Sequence, residues 1–152
     1  MRVEEWTESH ASEVAGWRYD PPYDFYDLAS DPADEAAMRD PSQGDHYRAV
    51  IAGEAGRLDA FWYFDWPGDV VEVGIGLRPE LTGRGRGESF LSAQLAYAAG
   101  NWHPAAFRLF VAAWNERTIR LYERFGFREV GRETRSFELV GGHEFVQMER
   151  AA

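Results

Sequence analysis

The segment "DVVEVGIGLRPELTGRGRGESFLSAQLAYAA", residues 69–99, constrains the fold more than any other part of this chain. Its first third alternates strictly. Val71, Val73, Ile75 and Leu77 fall on one face and Glu72, Gly74, Gly76 and Arg78 on the other, the pattern of a half-buried strand. Its last third stacks Leu91, Leu95 and Ala98 at helical spacing, and Gly100 is suited to end that helix. Between them Gly83, Gly85 and Gly87 alternate with Arg84 and Arg86. A strand that passes through a tight glycine turn into a helix presents successive backbone N–H groups and the positive end of a helix dipole, which favours an anion such as pyrophosphate. Arg84 and Arg86 add charge-assisted contacts to such an anion. For the loop taken alone, a simple corner-turning role stays open.

Two phosphate motifs are excluded. A P-loop requires Gly-Lys-Ser/Thr, and the chain has no Lys. A dinucleotide fingerprint requires a third glycine where Glu88 stands, and an acidic residue about 20 positions further on, where "AAFRLF" has none.

Around this unit the chain reads as strands and short helices. Residues 1–6 form a first strand, and Thr7 or Ser9 caps a helix that ends near Gly16. Pro21-Pro22 bars helix locally, and a second short helix starts after Ser30 with Asp31-Pro32. "HYRAVIAG" (46–53) and "RLDAFWYFDW" (57–66) make a hairpin about a Gly53 to Gly56 turn. "FRLFVAAW" (107–114) is a strand, Asn115 caps a helix that Gly126 stops, and two final strands flank a Gly141-Gly142 turn. The expected class is mixed α+β or α/β, with a mixed, mostly antiparallel twisted sheet of about six or seven strands and helices on both faces. One domain spans 1–152, with no linkers or repeats.

Charge is distributed unevenly. Residues 1–76 carry 5 Arg against 17 Asp and Glu, and residues 77–152 carry 11 Arg against 9, so a half of net charge -12 precedes one of +2. The total of -10 argues against nucleic acid or an anionic membrane as partner. The absence of Cys excludes disulfides, thiolate metal sites and thiol nucleophiles. No leader or long apolar run is evident, so a cytoplasmic location is expected.

The order "LRPELTGRGRGESFL", helix, strand and "NERTIRLYERFGF" is similar to the GNAT superfamily of N-acetyltransferases. The family loop, Gln/Arg-x-x-Gly-x-Gly/Ala, is met by Gly85 and Gly87, with Thr82 where Gln or Arg is usual. Asn115, Leu121, Tyr122, Gly126 and Phe127 match the helix motif Asn-x-x-Ala-x-x-Leu-Tyr-x-x-x-Gly-Phe, with Thr118 in place of Ala. The resemblance implies acetyl-CoA as co-substrate and no metal. It implies pyrophosphate contacts from Thr82, Gly83, Arg84, Gly85, Arg86, Gly87 and Glu88, in which Thr82 supplies its N–H and its hydroxyl. Asn115 is implied to touch the pantetheine arm, and Tyr122 to lie near the thioester sulfur.

Acetyl transfer to an amine needs a polarised carbonyl, a neutral nucleophile and a proton for the leaving thiolate. Gly74 and Gly76 leave backbone open for an acyl arm along Ile75 and Leu77, and a backbone N–H near Leu77 polarises the carbonyl. Tyr122, with the ordinary tyrosine pKa of about 10, suits the general acid. An alkylammonium has a pKa of about 10.4, so a base must take its proton. Glu72 is the candidate, directly or through ordered water, with His46, His103 and His143 as alternatives. In the superfamily the segment after the first helix covers the acceptor site. Here it holds Trp17, Tyr19, Tyr23, Phe25 and Tyr26 among Asp20, Asp24 and Asp27, which suits a cationic amine. The acceptor is then a polyamine, an amino sugar or a protein N-terminal or lysine amine, and the protein a monomer or homodimer. Two alternatives stay open: a non-catalytic module that binds CoA or acyl-CoA on the same fold, and transfer of a longer acyl group.

Overall fold

In the computed structural model, residues 1–53 and 56–152 are described, so part of the expected Gly53 to Gly56 turn lies outside the described residues. The strands are β1 (Arg2–Glu5), β2 (Tyr47–Ile51), β3 (Ala60–Asp65), β4 (Val70–Leu77), β5 (Ala106–Ala112), β6 (Arg128–Phe137) and β7 (Gly141–Ala151). The helices are α1 (Glu8–Ala15), α2 (Pro32–Arg39), α3 (Gly87–Trp102) and α4 (Glu116–Arg124). Seven strands form one sheet in the order β1-β2-β3-β4-β5-β7-β6. The β1/β2, β2/β3 and β5/β7 pairs are antiparallel and β4/β5 is parallel, as a crossover through α3 requires. The fold is the expected mixed, mostly antiparallel α+β class.

The chain divides into two compact units. The first comprises Met1–Tyr63, Ile75–Gly85 and Phe137–Gly141. Its core gathers Ala11, Val14, Trp17, Leu28, Met38, Tyr47, Ala49, Ile51 and Leu58. Thr7 caps α1 in a reciprocal arrangement: its hydroxyl accepts the His10 N–H, and its own N–H donates to His10 Nδ1 at 3.0 Å. Asp31 caps α2 by accepting the Asp34 N–H, as the Asp31-Pro32 start leads one to expect. Pro32 then occupies the first turn, where its missing N–H costs nothing.

The second unit comprises Phe64–Gly74, Arg86–Ser136 and Gly142–Ala152. The β5/β7 ladder runs unbroken from Ala106↔Ala151 to Ala112↔Phe145, and Phe107, Leu109, Val111, Val146 and Met148 are buried along it. Helix α3 buries Phe90, Leu91, Gln94, Leu95 and Ala98. It runs past Gly100, the expected stop, to Trp102, and His103 closes it in the left-handed region at φ 47 before Pro104. Trp102 packs edge-on against Phe64 and Trp66 at 4.8 and 5.1 Å. Burial of that ring outweighs the penalty of about 1 kcal/mol for glycine in a helix. The last hairpin turns at residues 138–140, with Gly141 left-handed at φ 75 as the first residue of β7.

Candidate active site

In the first unit, β4 ends at Leu77 and the chain makes one 3-10 turn over Pro79–Leu81. Thr82 then donates both its N–H (3.1 Å) and its hydroxyl (2.6 Å) to the Pro79 carbonyl. Both Thr82 donors are therefore spent on the turn, which corrects the expectation that they serve a phosphate. Gly83 and Gly85 both have φ 70, and nothing lies within 4 Å of a Cβ added to either. Glycine is needed there for backbone conformation alone, and such left-handed steps build amide concavities that hold anions. Arg84 is exposed beside them.

The strand end that leads into this loop is anchored by a buried ion pair that sequence reasoning did not find. Arg78 and Asp59 are 7% and 5% exposed. Arg78 Nη2 donates to Asp59 Oδ1 at 2.6 Å and Nη1 to Glu80 Oε2 at 3.0 Å. Asp59 Oδ2 accepts the N–H groups of Ala52 and Gly53, and the Asp59 carbonyl accepts the Arg78 N–H. Burial by itself would raise the Asp59 carboxyl, but the Arg78 bond and the two backbone N–H groups outweigh it and hold the group below the ordinary carboxylate range. The signal in the sequence was slight: one acid in the apolar run "LDAFWYF" and one Arg at the end of the next strand.

Gly76 is also explained differently from the sequence reading. A Cβ there would stand 2.1 Å from Phe61 Cε1, so the space of the missing side chain belongs to the Phe61 ring rather than to an acyl arm. The acceptor segment divides likewise. Trp17 is buried and stacks on Phe61 at 6.3 Å, which makes it a core residue instead of a wall of an open site. Tyr19 is half-buried, donating its hydroxyl to the Leu77 carbonyl at 2.6 Å and its N–H to Asp27 Oδ1 at 2.9 Å. Burial, then Asp27 and Glu80, push the Tyr19 hydroxyl well above the usual tyrosine range. Tyr23 and Phe25 are half-buried, Phe25 meets Phe137 edge-on at 5.4 Å, and Tyr26 is 40% exposed. Of the three acids, Asp20 and Asp24 are exposed and Asp27 is buried. His46 stacks on Tyr63 at 5.9 Å.

In the second unit, α3 begins at Gly87 with Arg86 at the cap position and no side-chain cap. The other helices all have one, from Thr7, Asp31 and Asn115. A helix of 16 residues without a cap leaves first-turn N–H groups and the positive dipole end available. The Arg86 guanidinium lies 5.8 Å from the Phe90 ring centre. Glu88, in the first turn, accepts from Arg124 Nε and Nη2 at 3.1 and 2.9 Å, so its carboxylate is neutralised by α4. Gly87 lets α4 approach, since a Cβ there would be 3.1 Å from Leu121 Cδ2.

Asn115 is buried and caps α4 by accepting the Thr118 N–H at 3.2 Å. Tyr122 is buried on α4, its ring edge-on to Phe127 at 5.9 Å. Glu72 is half-buried on β4, opposite Arg108 in the parallel ladder. Burial raises its carboxyl, Arg135 and Arg108 pull it down, Asp65 and Glu133 push it up, and the balance is upward. That is the direction a general base requires. Gln94, fully buried, donates Nε2 to the Gly74 carbonyl at 2.7 Å, two residues past the last β4/β5 pair. The sequence reading overlooked this amide, which faces the same side of α3 as Leu91 and Leu95.

The profile of the acetyltransferase (GNAT) domain matches residues 1–128, and the chain belongs to the GNAT family of N-acetyltransferases. Enzymes of this family use acetyl-CoA. The chain is similar in fold to the spermidine N-acetyltransferase of Vibrio cholerae in complex with CoA and spermine, with TM-score 0.75, 18% identity and 99% and 94% of the two chains covered. It is similar to a chimera of that enzyme with hSSAT at TM-score 0.74 and 17% identity, over 99% and 96% of the chains. A putative phosphinothricin N-acetyltransferase matches at TM-score 0.58 and 21% identity, over 69% and 67%. No curated protein sequence matches the chain. Among the described residues, no helix is long and apolar enough to cross a membrane.

Proposed function

We propose that this chain acetylates a primary amine that carries positive charge, with a polyamine as the first class to examine. The observation that carries the reading is the uncapped start of α3, four residues after Gly83 and two after Gly85, both held at φ 70. These features fit a pyrophosphate, with Arg84 and Arg86 as counter-charges and the backbone amides of Gly83 to Glu88 as donors. The acceptor preference is supported by the aromatic and acidic segment that holds Tyr23 and Tyr26 with the exposed Asp20 and Asp24, and by the spermine-bound spermidine acetyltransferase of similar fold.

In the proposed reaction the amine nitrogen attacks the thioester carbonyl carbon. The N–H of Leu77 polarises the carbonyl oxygen and steadies the negative charge that gathers there. Glu72 receives the ammonium proton, directly or through water. The C–S bond then breaks, its electron pair leaves on sulfur, and Tyr122 supplies a proton to the thiolate, a contribution of about 10²–10⁴ for a placed acid. Asn115 orients the pantetheine arm. The products are the acetamide and free CoA.

Thermal-shift titration with acetyl-CoA, CoA and NAD tests the cofactor half. A rise in midpoint with both CoA species and none with NAD is expected, and no rise with either CoA species overturns the reading. Thiol release across spermidine, spermine, an amino sugar, a lysine peptide and neutral amines tests the acceptor half. Equal use of neutral and cationic amines sinks the charge preference. Because the Glu72 carboxyl is raised, the acid limb of kcat/KM should lie above the ordinary glutamate range and be lost in Glu72→Gln.

A further inference from the structure

The peptide that joins Leu77 to Arg78 is held from both sides. Its carbonyl accepts the Tyr19 hydroxyl at 2.6 Å, and its N–H donates to the Asp59 carbonyl at 2.8 Å. Neither partner is loose. The buried Asp27 carboxylate accepts the Tyr19 N–H, and Asp59 is locked by Arg78 and by the amides of Ala52 and Gly53. Bonds to both ends of one peptide fix the rotations on either side of it. The Leu77 N–H lies in the preceding peptide, one Cα away, and follows Gly76, the least restrained residue type, so an anchored Leu77–Arg78 peptide limits how far that N–H can turn.

We infer that Tyr19 is a positioning residue for acetyl transfer: its hydroxyl, through the Leu77 carbonyl, aims the end of β4 and ties the acceptor segment to the strand that presents the acyl carbonyl. The inference rests on the reading of the Leu77 amide given above. It replaces the expected direct contact of Tyr19 with the amine. The bond does not depend on working pH, because burial and the carboxylates of Asp27 and Glu80 keep the hydroxyl protonated. It also gives the buried Asp27 a use, since this carboxylate sets the backbone from which the Tyr19 ring projects.

The test uses the full chain and Tyr19→Phe, which keeps the ring and removes the hydroxyl. Leu77-Arg78 is the sole Leu-Arg step in the sequence, so ¹³C-carbonyl leucine with ¹⁵N arginine yields one signal for this peptide. In Tyr19→Phe that carbonyl signal should move upfield. With spermidine as acceptor, kcat/KM for acetyl-CoA should fall roughly five- to tenfold, the worth of one neutral hydrogen bond, while KM for spermidine stays within about twofold. An unmoved Leu77 signal overturns the inference, and so does a loss carried by the spermidine KM alone. If Tyr19→Phe does not fold, Asp27→Ala, which removes the acceptor of the Tyr19 N–H, is read by the same signal and the same KM split. A wild-type chain that acetyl-CoA does not stabilise fails at the proposed function, and the inference falls with it. A wild type that is stabilised, beside an unchanged variant, fails at the inference only.

Discussion

The chain before and after Gly83 is held in opposite ways. Upstream, from Leu77 to Thr82, the groups that hold the chain are these: the Leu77 carbonyl bonds to Tyr19, the Arg78 N–H and Nη2 to Asp59, and both Thr82 donors to Pro79. Downstream, α3 is fixed by packing, through Gly87 against Leu121 and the Arg124–Glu88 pair, and its start has no side-chain cap. An anion can be met only where amides are left over. Donors already bonded within the fold can only hold position, whereas a helix start held by its apolar face keeps its amides for a ligand.

The largest expected effect breaks the upstream side. Asp59→Ala leaves the buried Arg78 with only the exposed Glu80 as a carboxylate partner and should cost about 3–5 kcal/mol in denaturant unfolding. Because the folded Asp59 pKa is depressed, its contribution is present above the ordinary carboxylate pKa of about 4 and lost as pH falls through the lower folded value. The gap between wild type and variant should therefore close in acid, and a gap that stays constant with pH would refute the assignment.

Arg86→Asp tests the downstream side by placing a carboxylate beside the free end of α3. CoA affinity should fall about ten- to hundredfold, as for a lost charge-assisted contact, while the thermal midpoint is kept or raised. Gly85→Ala should cost about 1–2 kcal/mol for an L-residue at φ 70, and CoA affinity should weaken in titration. The smallest contrast is the sharpest. Arg84→Ala should reduce CoA affinity several-fold, whereas Thr82→Ala should leave it within about twofold and lower only the melting temperature, since that hydroxyl serves Pro79. Equal losses of affinity would erase the distinction between the two sides.

Several elements were legible because their signals are local. The alternation of 69–78 marked β4, Asn115 marked the start of α4, and glycines marked the two left-handed steps at 83 and 85. The stop of α3 was misplaced at Gly100 because the sequence does not say that Trp102 has Phe64 and Trp66 to bury against. Gly76 was read as an opening for a ligand for a similar reason, its occupant being a ring from the next strand. The candidate site was legible as residue types and order, since the two family motifs are short. Which aromatic residues of the acceptor segment face outward was not, and Trp17 and Tyr19 turned out to serve the core and the strand.

The strand, glycine loop and helix that suit a pyrophosphate, the Asn115 to Phe127 helix, and through them the resemblance to the acetyltransferase family, are readable from the residues alone. Those features depend on backbone preferences that act within a few residues. The pairing of Arg78 with Asp59 across 19 residues and the bond from Tyr19 to Leu77 across 58 emerge only when the chain is packed. Such contacts follow from strand register and side-chain burial, and neither is encoded at the positions that meet.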